Sequence, residues 1–399
     1  MRPPRAAGPV LASLALAAAL AFGAPAEAAP PGVRALRVTD GAAFGAVGGS
    51  SKPVKLTLDP DLQRAAERLL ARSGAMEGAI VASDVRTGRI LAWASRGGRD
   101  YVATPFAPSA SLFKIITAAA LLEGGKVTQA TRACYTGGEH GIRAEDLEGR
   151  GATCTTVGEA LGRSVNLVFA RLAKDHLTAG DLRRKARDLG FAGEVPIDVP
   201  VGASTVEIPE DPLGLARTAA GFWSGRLSPL GALFAMQTIA NDGERVRLTL
   251  IDGAPRASDG RGLTARSARS LRRMLQVTTR SGTCAKAFRR PDGTRALGSM
   301  PVAAKTGTLV GSRSDLDGKA GGEARMYSWF SAFAPADRPE IAVAVMLGNS
   351  LKWRTKANVV GRDVLEAYFR GRPRSDGSTS RNRVDPGGGA ALTPRRRSD

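Results

Sequence analysis

The sequence predicts an α+β fold: an antiparallel β-sheet flanked by helices, with an all-helical lobe inserted in the middle of the chain. Two observations carry this expectation. Runs rich in Ile, Val and Leu lie toward both ends of a central unit, residues 53–370, and read as strands. The long stretch between them shows helical spacing of apolar residues instead.

Taken in order, the unit opens with Asp59-Pro60, an N-cap residue followed by proline at the first helical position. Leu62, Ala65, Ala66, Leu69 and Leu70 then recur at helical spacing, so the first element is an amphipathic helix. Residues 78–84 and 89–95 are strand-like runs around Arg86-Thr87-Gly88 and form a hairpin. Helical patterns follow at 111–123, 157–161, 165–173 and 230–241. A strand ending near Lys305 precedes a second strand pair, 327–334 and 340–347, around the turn 335–339. Residues 355–369 again read as a helix. No internal repeat interrupts the unit.

Outside it the composition changes. Arg2 and Arg5 precede an apolar run over 10–22, and Ala24-Pro25-Ala26 and Ala26-Glu27-Ala28 supply small-residue cleavage sites. Residues 1–28 therefore read as a secretory signal peptide, since the run falls short of the roughly 20 residues that a membrane span needs. The expected location is exported, periplasmic or extracellular, in association with the cell envelope. No cysteine lies near the cleavage sites, which argues against a lipid anchor. Residues 29–52, rich in Gly, Ala and Pro, read as a linker, and 371–399, closing with Arg395-Arg396-Arg397, as a disordered basic tail.

Composition narrows the function. With 399 residues, 43% of them apolar, the chain is large enough to bury a substantial core. Its net charge of +20 raises nucleic acid as a partner, but aromatics make up only 5%, the arginines are dispersed, and export points elsewhere. No nucleic-acid role is expected; the charge suits an anionic envelope surface or a solvated basic face. His140 and His176 are the only histidines, without a spaced Cys/His cluster, so neither a metal nor another cofactor is expected. In an oxidising compartment Cys134 and Cys154 could join as a disulfide, leaving Cys284 over. Three buried thiols remain the other reading.

Ser111-Leu112-Phe113-Lys114 opens an apolar helical run that ends at Gly124-Gly125. Residues three apart share a helix face. An unprotonated lysine there can take the proton of a serine hydroxyl once burial or another cation lowers its pKa. Alone this pattern is equally an N-cap serine with a solvated lysine. Ser164-Val165-Asn166 and Lys305-Thr306-Gly307-Thr308 follow in order, and S-x-x-K, S-D-N and K-T-G together form a known signature of β-lactamases and penicillin-binding proteins.

With these motifs, residues 53–370 resemble the transpeptidase domain of penicillin-binding proteins. The segments 56–63, 82–92, 228–230, 239–243 and 281–283 with Ala287-Phe288 resemble further landmarks of that family. The resemblance implies that Ser111 attacks the carbonyl between two D-alanines with Lys114 as general base, and that a second stem peptide's amine takes the acyl group. Ser164 would relay a proton and Asn166 orient Lys114, although a cap and a turn are their plainer roles. Lys305 would face the substrate carboxylate and lower the Lys114 pKa, Thr306 and Thr308 would bind that carboxylate, and Gly307 would admit the ligand to the strand. The backbone N–H groups of Ser111 and Thr308 would form the oxyanion hole. Implied partners are peptidoglycan stem peptides, β-lactam antibiotics and a glycan polymerase.

Some features depart from the pattern. No glycosyltransferase domain or pedestal fits ahead of residue 53, so a standalone module is expected. Residues 309–325 read as a long Gly- and charge-rich loop bordering the site, and Cys284 falls inside a landmark. The rival functions are a D,D-carboxypeptidase, in which water resolves the acyl-enzyme; a β-lactamase, which needs a further base aimed at water; and a penicillin sensor or scaffold that never turns over. Retention of Ser111, Lys114 and Lys305 speaks against the last.

Overall fold

The computed structural model describes residues 32–138, 141–149, 151–222, 225–312, 324–352 and 355–370. The expected signal peptide and basic tail lie outside them. Chain order begins with three short strands, β1 (Val33–Val38), β2 (Ala43–Val47) and β3 (Val54–Leu56), followed by α1 (Pro60–Arg72), β4 (Glu77–Asp84) and β5 (Ile90–Arg96). A 3-10 turn, Ala110–Phe113, leads directly into α2 (Lys114–Glu123). The insert holds β6 (Arg132–Tyr135), α3 (Ala144–Glu148), β7 (Thr153–Thr156), α4 (Val157–Arg163), α5 (Asn166–His176), α6 (Ala179–Asp188), β8 (Thr205–Val206), α7 (Pro212–Ala219) and β9 (Gly225–Arg226). There follow α8 (Pro229–Ala240), β10 (Glu244–Val246), β11 (Ser258–Arg261), α9 (Ala265–Arg280), β12 (Ala303–Ser312), β13 (Ala324–Ala334), β14 (Ile341–Asn349) and α10 (Ala357–Phe369).

The main sheet is fully antiparallel, with strand order β12-β13-β14-β4-β5. Alternate side chains feed two cores, as the two-residue period of a strand requires. Ala79, Val81, Trp329, Ala344 and Met346 face the helical side. Ile80, Ala82, Phe330, Val343 and Val345 face α1 and α10. Because both faces are covered, the strands read as continuous apolar runs rather than alternating ones. Asp59 caps α1 as expected, its Oδ1 accepting from the N–H groups of Asp61 and Leu62 at 3.0 Å each. Buried Gln63 ties that helix to β5 by accepting from Trp93 N at 2.7 Å and donating to its carbonyl at 3.0 Å. Helix α8, buried along its whole length, packs on the opposite face of the sheet and not in the lobe. A helix apolar all round can only be an interior one.

Three expectations need correction. The stretch read as a linker holds β1 and β2, which pair with β3 in a three-stranded sheet. Val33, Leu36, Val38 and Val47 pack against the main core, giving these strands the burial that their Gly- and Ala-rich surroundings hid. Secondly, β12 begins just before Lys305 instead of ending there and continues to Ser312, so 309–312 and 324–325 are strand rather than loop. Residues 313–323 lie outside the described residues. Thirdly, the insert carries the ribbons β6–β7 and β8–β9 alongside its helices. Among the described residues no helix is long and apolar enough to cross a membrane.

Candidate active site

The three sequence motifs meet where the 3-10 turn, the α4–α5 junction and β12 converge. Pro108 and Ser109 precede the turn, and buried Trp329 of β13 fixes them by donating from Nε1 to the Pro108 carbonyl at 2.8 Å. Ser111 is half-buried within the turn, while Lys114, at the start of α2, is wholly buried. The Lys114 Nζ lies 2.8 Å from Ser111 Oγ, 2.8 Å from Asn166 Oδ1 and 2.5 Å from the Ala220 carbonyl. Two of these partners are carbonyl oxygens and can only accept. A neutral amine has two hydrogens and one lone pair, so donating to both carbonyls directs the lone pair at the Ser111 hydroxyl.

Asn166 opens α5, and its amide orientation follows from its other end, where Nδ2 donates to the Gly138 carbonyl at 2.9 Å. Ser164 occupies the C-cap of α4 with φ +61°, a left-handed conformation uncommon outside glycine. This sharp turn points its hydroxyl toward β12, where Lys305 Nζ donates to Ser164 Oγ at 3.0 Å and to the Thr306 carbonyl at 2.8 Å. Thr306 is half-buried, its Oγ1 2.6 Å from Thr283 Oγ1, and Thr308 is exposed.

Electrostatics set the protonation balance. Burial, then the nearby Lys305 cation, holds Lys114 well below the usual 10.5. Burial lowers Lys305 from 10.5 to about 7. Both lysines are thus drawn toward the neutral form, the state in which an amine can act as a base.

Backbone packing explains the glycine of the third motif. A Cβ on Gly307 would stand 3.2 Å from Ala110 Cβ, 3.3 Å from Ser109 O and 3.4 Å from Ser111 N, so β12 lies directly against the turn that carries the serine. Gly221, with φ +85°, backs the same turn from the other side, where a Cβ would meet Ala110 O at 2.2 Å. Strand β12 is also an edge strand of the main sheet, a place where an extended peptide can add by main-chain hydrogen bonds.

All of the predicted site residues therefore come together: Ser111 and Lys114; Ser164 and Asn166; Lys305, Thr306, Gly307 and Thr308. Three contributors were not read as site residues. Thr283 sits in a segment picked out only as a landmark. The carbonyls of Ala220 and Gly138 left no trace in the sequence, because every residue carries a carbonyl. Thr117 Oγ1 steadies the first of these by donating to the neighbouring Ala219 carbonyl at 2.8 Å. Cys134 and Cys154 are joined as a disulfide, and Cys284 is free and buried, its thiol pushed up to about 12 by desolvation. Among the described residues no group of His, Cys, Asp and Glu is arranged to hold a metal.

Comparison with known proteins places this arrangement. The chain is 28% identical over 368 residues to the peptidoglycan D,D-transpeptidase PbpA of Mycobacterium tuberculosis, covering 80% of this chain and 73% of that protein. To PbpA of Mycolicibacterium smegmatis it is 27% identical over 366 residues, covering 79% and 72%. Among solved structures, PBPA from Mycobacterium tuberculosis superposes with a TM-score of 0.64 at 24% identity, over 79% of this chain and 81% of that one. The same protein as its penicillin G acyl-enzyme complex gives 0.61 at 24% identity, over 79% and 80%. Residues 78–366 match the penicillin binding protein transpeptidase domain, and by that match over most of its length the chain belongs to the penicillin binding protein transpeptidase family.

Proposed function

We propose that this protein is a serine D,D-transpeptidase of peptidoglycan, working through an acyl-enzyme on Ser111. The observation that carries the reading is the placement of Lys114 Nζ between Ser111 Oγ and two carbonyl acceptors, Asn166 Oδ1 and Ala220 O. Its relatives are named peptidoglycan D,D-transpeptidases, which supports the same substrate here.

The neutral Lys114 amine takes the Ser111 proton as Oγ attacks the carbonyl joining the two terminal D-alanines. The developing oxyanion is stabilised by the N–H groups of Ser111 and Thr308. On collapse the C–N bond breaks, and the departing D-alanine amine receives a proton from Lys114 by way of Ser164, which touches Lys305. Lys305, Thr306 and Thr308 hold the terminal carboxylate, and the donor peptide extends along the edge of β12. The amine of a second stem peptide then attacks the ester, gives its proton to Lys114 and regenerates Ser111. A β-lactam presents the same carbonyl and carboxylate and is captured by the same serine. Such chemistry requires an exported protein acting in the cell envelope, as the leader-like residues 1–28 suggest. A glycan polymerase would supply the strands to be joined.

Intact-protein mass spectrometry after exposure to benzylpenicillin tests the acyl-enzyme. A stable adduct in the wild type, absent from Ser111→Ala, is the expected result; rapid hydrolysis of the drug would instead identify a β-lactamase. A donor pentapeptide and a D-amino acid acceptor then separate transfer from simple release of D-alanine. Release without a cross-linked product would make the protein a D,D-carboxypeptidase.

A further inference from the structure

We infer that the disulfide-linked ribbon β6–β7 is a positioning device for the reaction, setting the orientation of the Asn166 amide, and that acylation of Ser111 therefore depends on the oxidised state of Cys134 and Cys154. The inference rests on the proposed acyl-enzyme function. It begins with the ribbon's marginal stability. Each strand has four residues, none of them fully buried, and a two-stranded ribbon of that size does not hold its shape unaided. Cys134 and Cys154 face each other across it in register and are covalently joined.

The chain leaving β6 reaches Gly138, whose carbonyl accepts from Asn166 Nδ2 at 2.9 Å. That contact decides which end of the amide faces Lys114. Turned over, Asn166 would present two N–H donors to Nζ, and the lone pair of the amine would be drawn away from Ser111. Gly138 has φ +80°, and a Cβ there would stand 2.9 Å from Leu167 Cβ, so the carbonyl reaches Asn166 only because the chain passes close over the start of α5. A second tie comes from the same helix. Arg171 donates from Nη1 to the Cys134 carbonyl at 3.1 Å and from Nε to the Asp146 carbonyl at 2.8 Å. The β6 side of the ribbon is therefore pinned to α5 at Cys134 and at Gly138, and the disulfide joins that side to β7.

Cys154 is exposed, so a dithiol can reach the bond. Reduction transfers two electrons and two protons from the dithiol, leaving Cys134 and Cys154 as thiols and the reagent as its own disulfide. Cys284 is buried and takes no part. Besides burial, the group that lowers Lys114 is Lys305 of β12, and a changed Asn166 acts on Lys114 through its own hydrogen bond. Its acceptor oxygen favours the protonated amine; losing it shifts the acid limb of the rate profile to lower pH while the orientation of the lone pair is lost.

The test measures second-order acylation of the full chain by a fluorescent penicillin from pH 5 to 10, oxidised and after treatment with dithiothreitol. The Cys134→Ser/Cys154→Ser double variant and Gly138→Ala are followed in parallel, each at a temperature below its own unfolding transition. Expected are a fall of about tenfold in rate on reduction, a similar fall in both variants, a displaced acid limb, and no effect of dithiothreitol on the double variant. Reduced protein or a double variant that melts earlier but acylates at the oxidised rate, with an unmoved pH limb, would make the cross-link merely structural and overturn the inference. Failure of the oxidised wild type to acylate at all would instead count against the proposed function.

Discussion

Replacing Lys305 by methionine should make this protein more stable and less active. Lys305 is fully buried, and its ammonium is drawn from 10.5 down to about 7. The unfolded chain therefore binds more protons than the folded one across that interval, and stability rises with pH through it. Below pH 7 the side chain is charged in both states. A depression of about 3.5 pH units, at about 1.4 kcal/mol each, means that holding this charge in the interior costs about 5 kcal/mol. Methionine removes the charge at similar length, but Ser164 Oγ and the Thr306 carbonyl lose their donor, at about 1–3 kcal/mol together. The net gain at pH 6 is then about 2–4 kcal/mol, or about 4–8 °C in Tm for a domain of this size. At pH 9 folded Lys305 is already neutral, the remaining penalty is about 2 kcal/mol, and the gain nearly vanishes. Calorimetry at both pH values measures this directly. A variant that melts below the wild type at pH 6, or whose difference from it is the same at both pH values, would refute the reasoning. Acylation should fall by about 100-fold or more, since the carboxylate loses the amine proposed to hold it.

Other perturbations follow from the same geometry. Because Lys114 must be neutral to accept the Ser111 proton, acylation should climb as pH rises through its lowered pKa; Lys305→Met removes the like charge and should move that limb to higher pH in a stopped-flow profile. Lys114→Ala should slow acylation by about 10²–10⁴-fold, read by mass spectrometry. Gly307→Val puts branched carbon against Ser109 O and Ser111 N, and should cut acylation more than tenfold with a smaller loss of Tm. Gly221→Ala forces a left-handed residue into contact with Ala110 O and should cost about 2–3 kcal/mol in denaturant unfolding.

Much of the fold was legible because local patterns agreed with it. The Asp59-Pro60 cap announced α1, and the strand runs over 78–95 and 327–347 emerged as β4, β5, β13 and β14 with ends shifted by a few residues. The strands β1 and β2 were missed because Ala35 has φ +50° and a register shift between Arg34 and Arg37 breaks the two-residue period. The three motifs pointed to side chains that the fold brings together, since each motif needs a particular side chain at fixed spacing, but they did not point to Thr283 or the backbone carbonyls beside them.

By itself, then, the sequence determined the class of fold and the family resemblance, and it singled out Ser111, Lys114 and Lys305 as the groups proposed to carry the chemistry. Tertiary structure decided what makes those groups reactive. Burial lowered both lysine pKa values and the nearness of Lys305 lowered that of Lys114 further, and neither is a property of a local segment. The pairing of Cys134 with Cys154, open in the sequence, was settled by the register of β6 on β7. The acceptors that aim Lys114 at Ser111 include the carbonyl of Ala220, and Gly138 sets the Asn166 amide beside it. Side chains write themselves into a sequence; backbone atoms acquire a role only when folding brings them to one place.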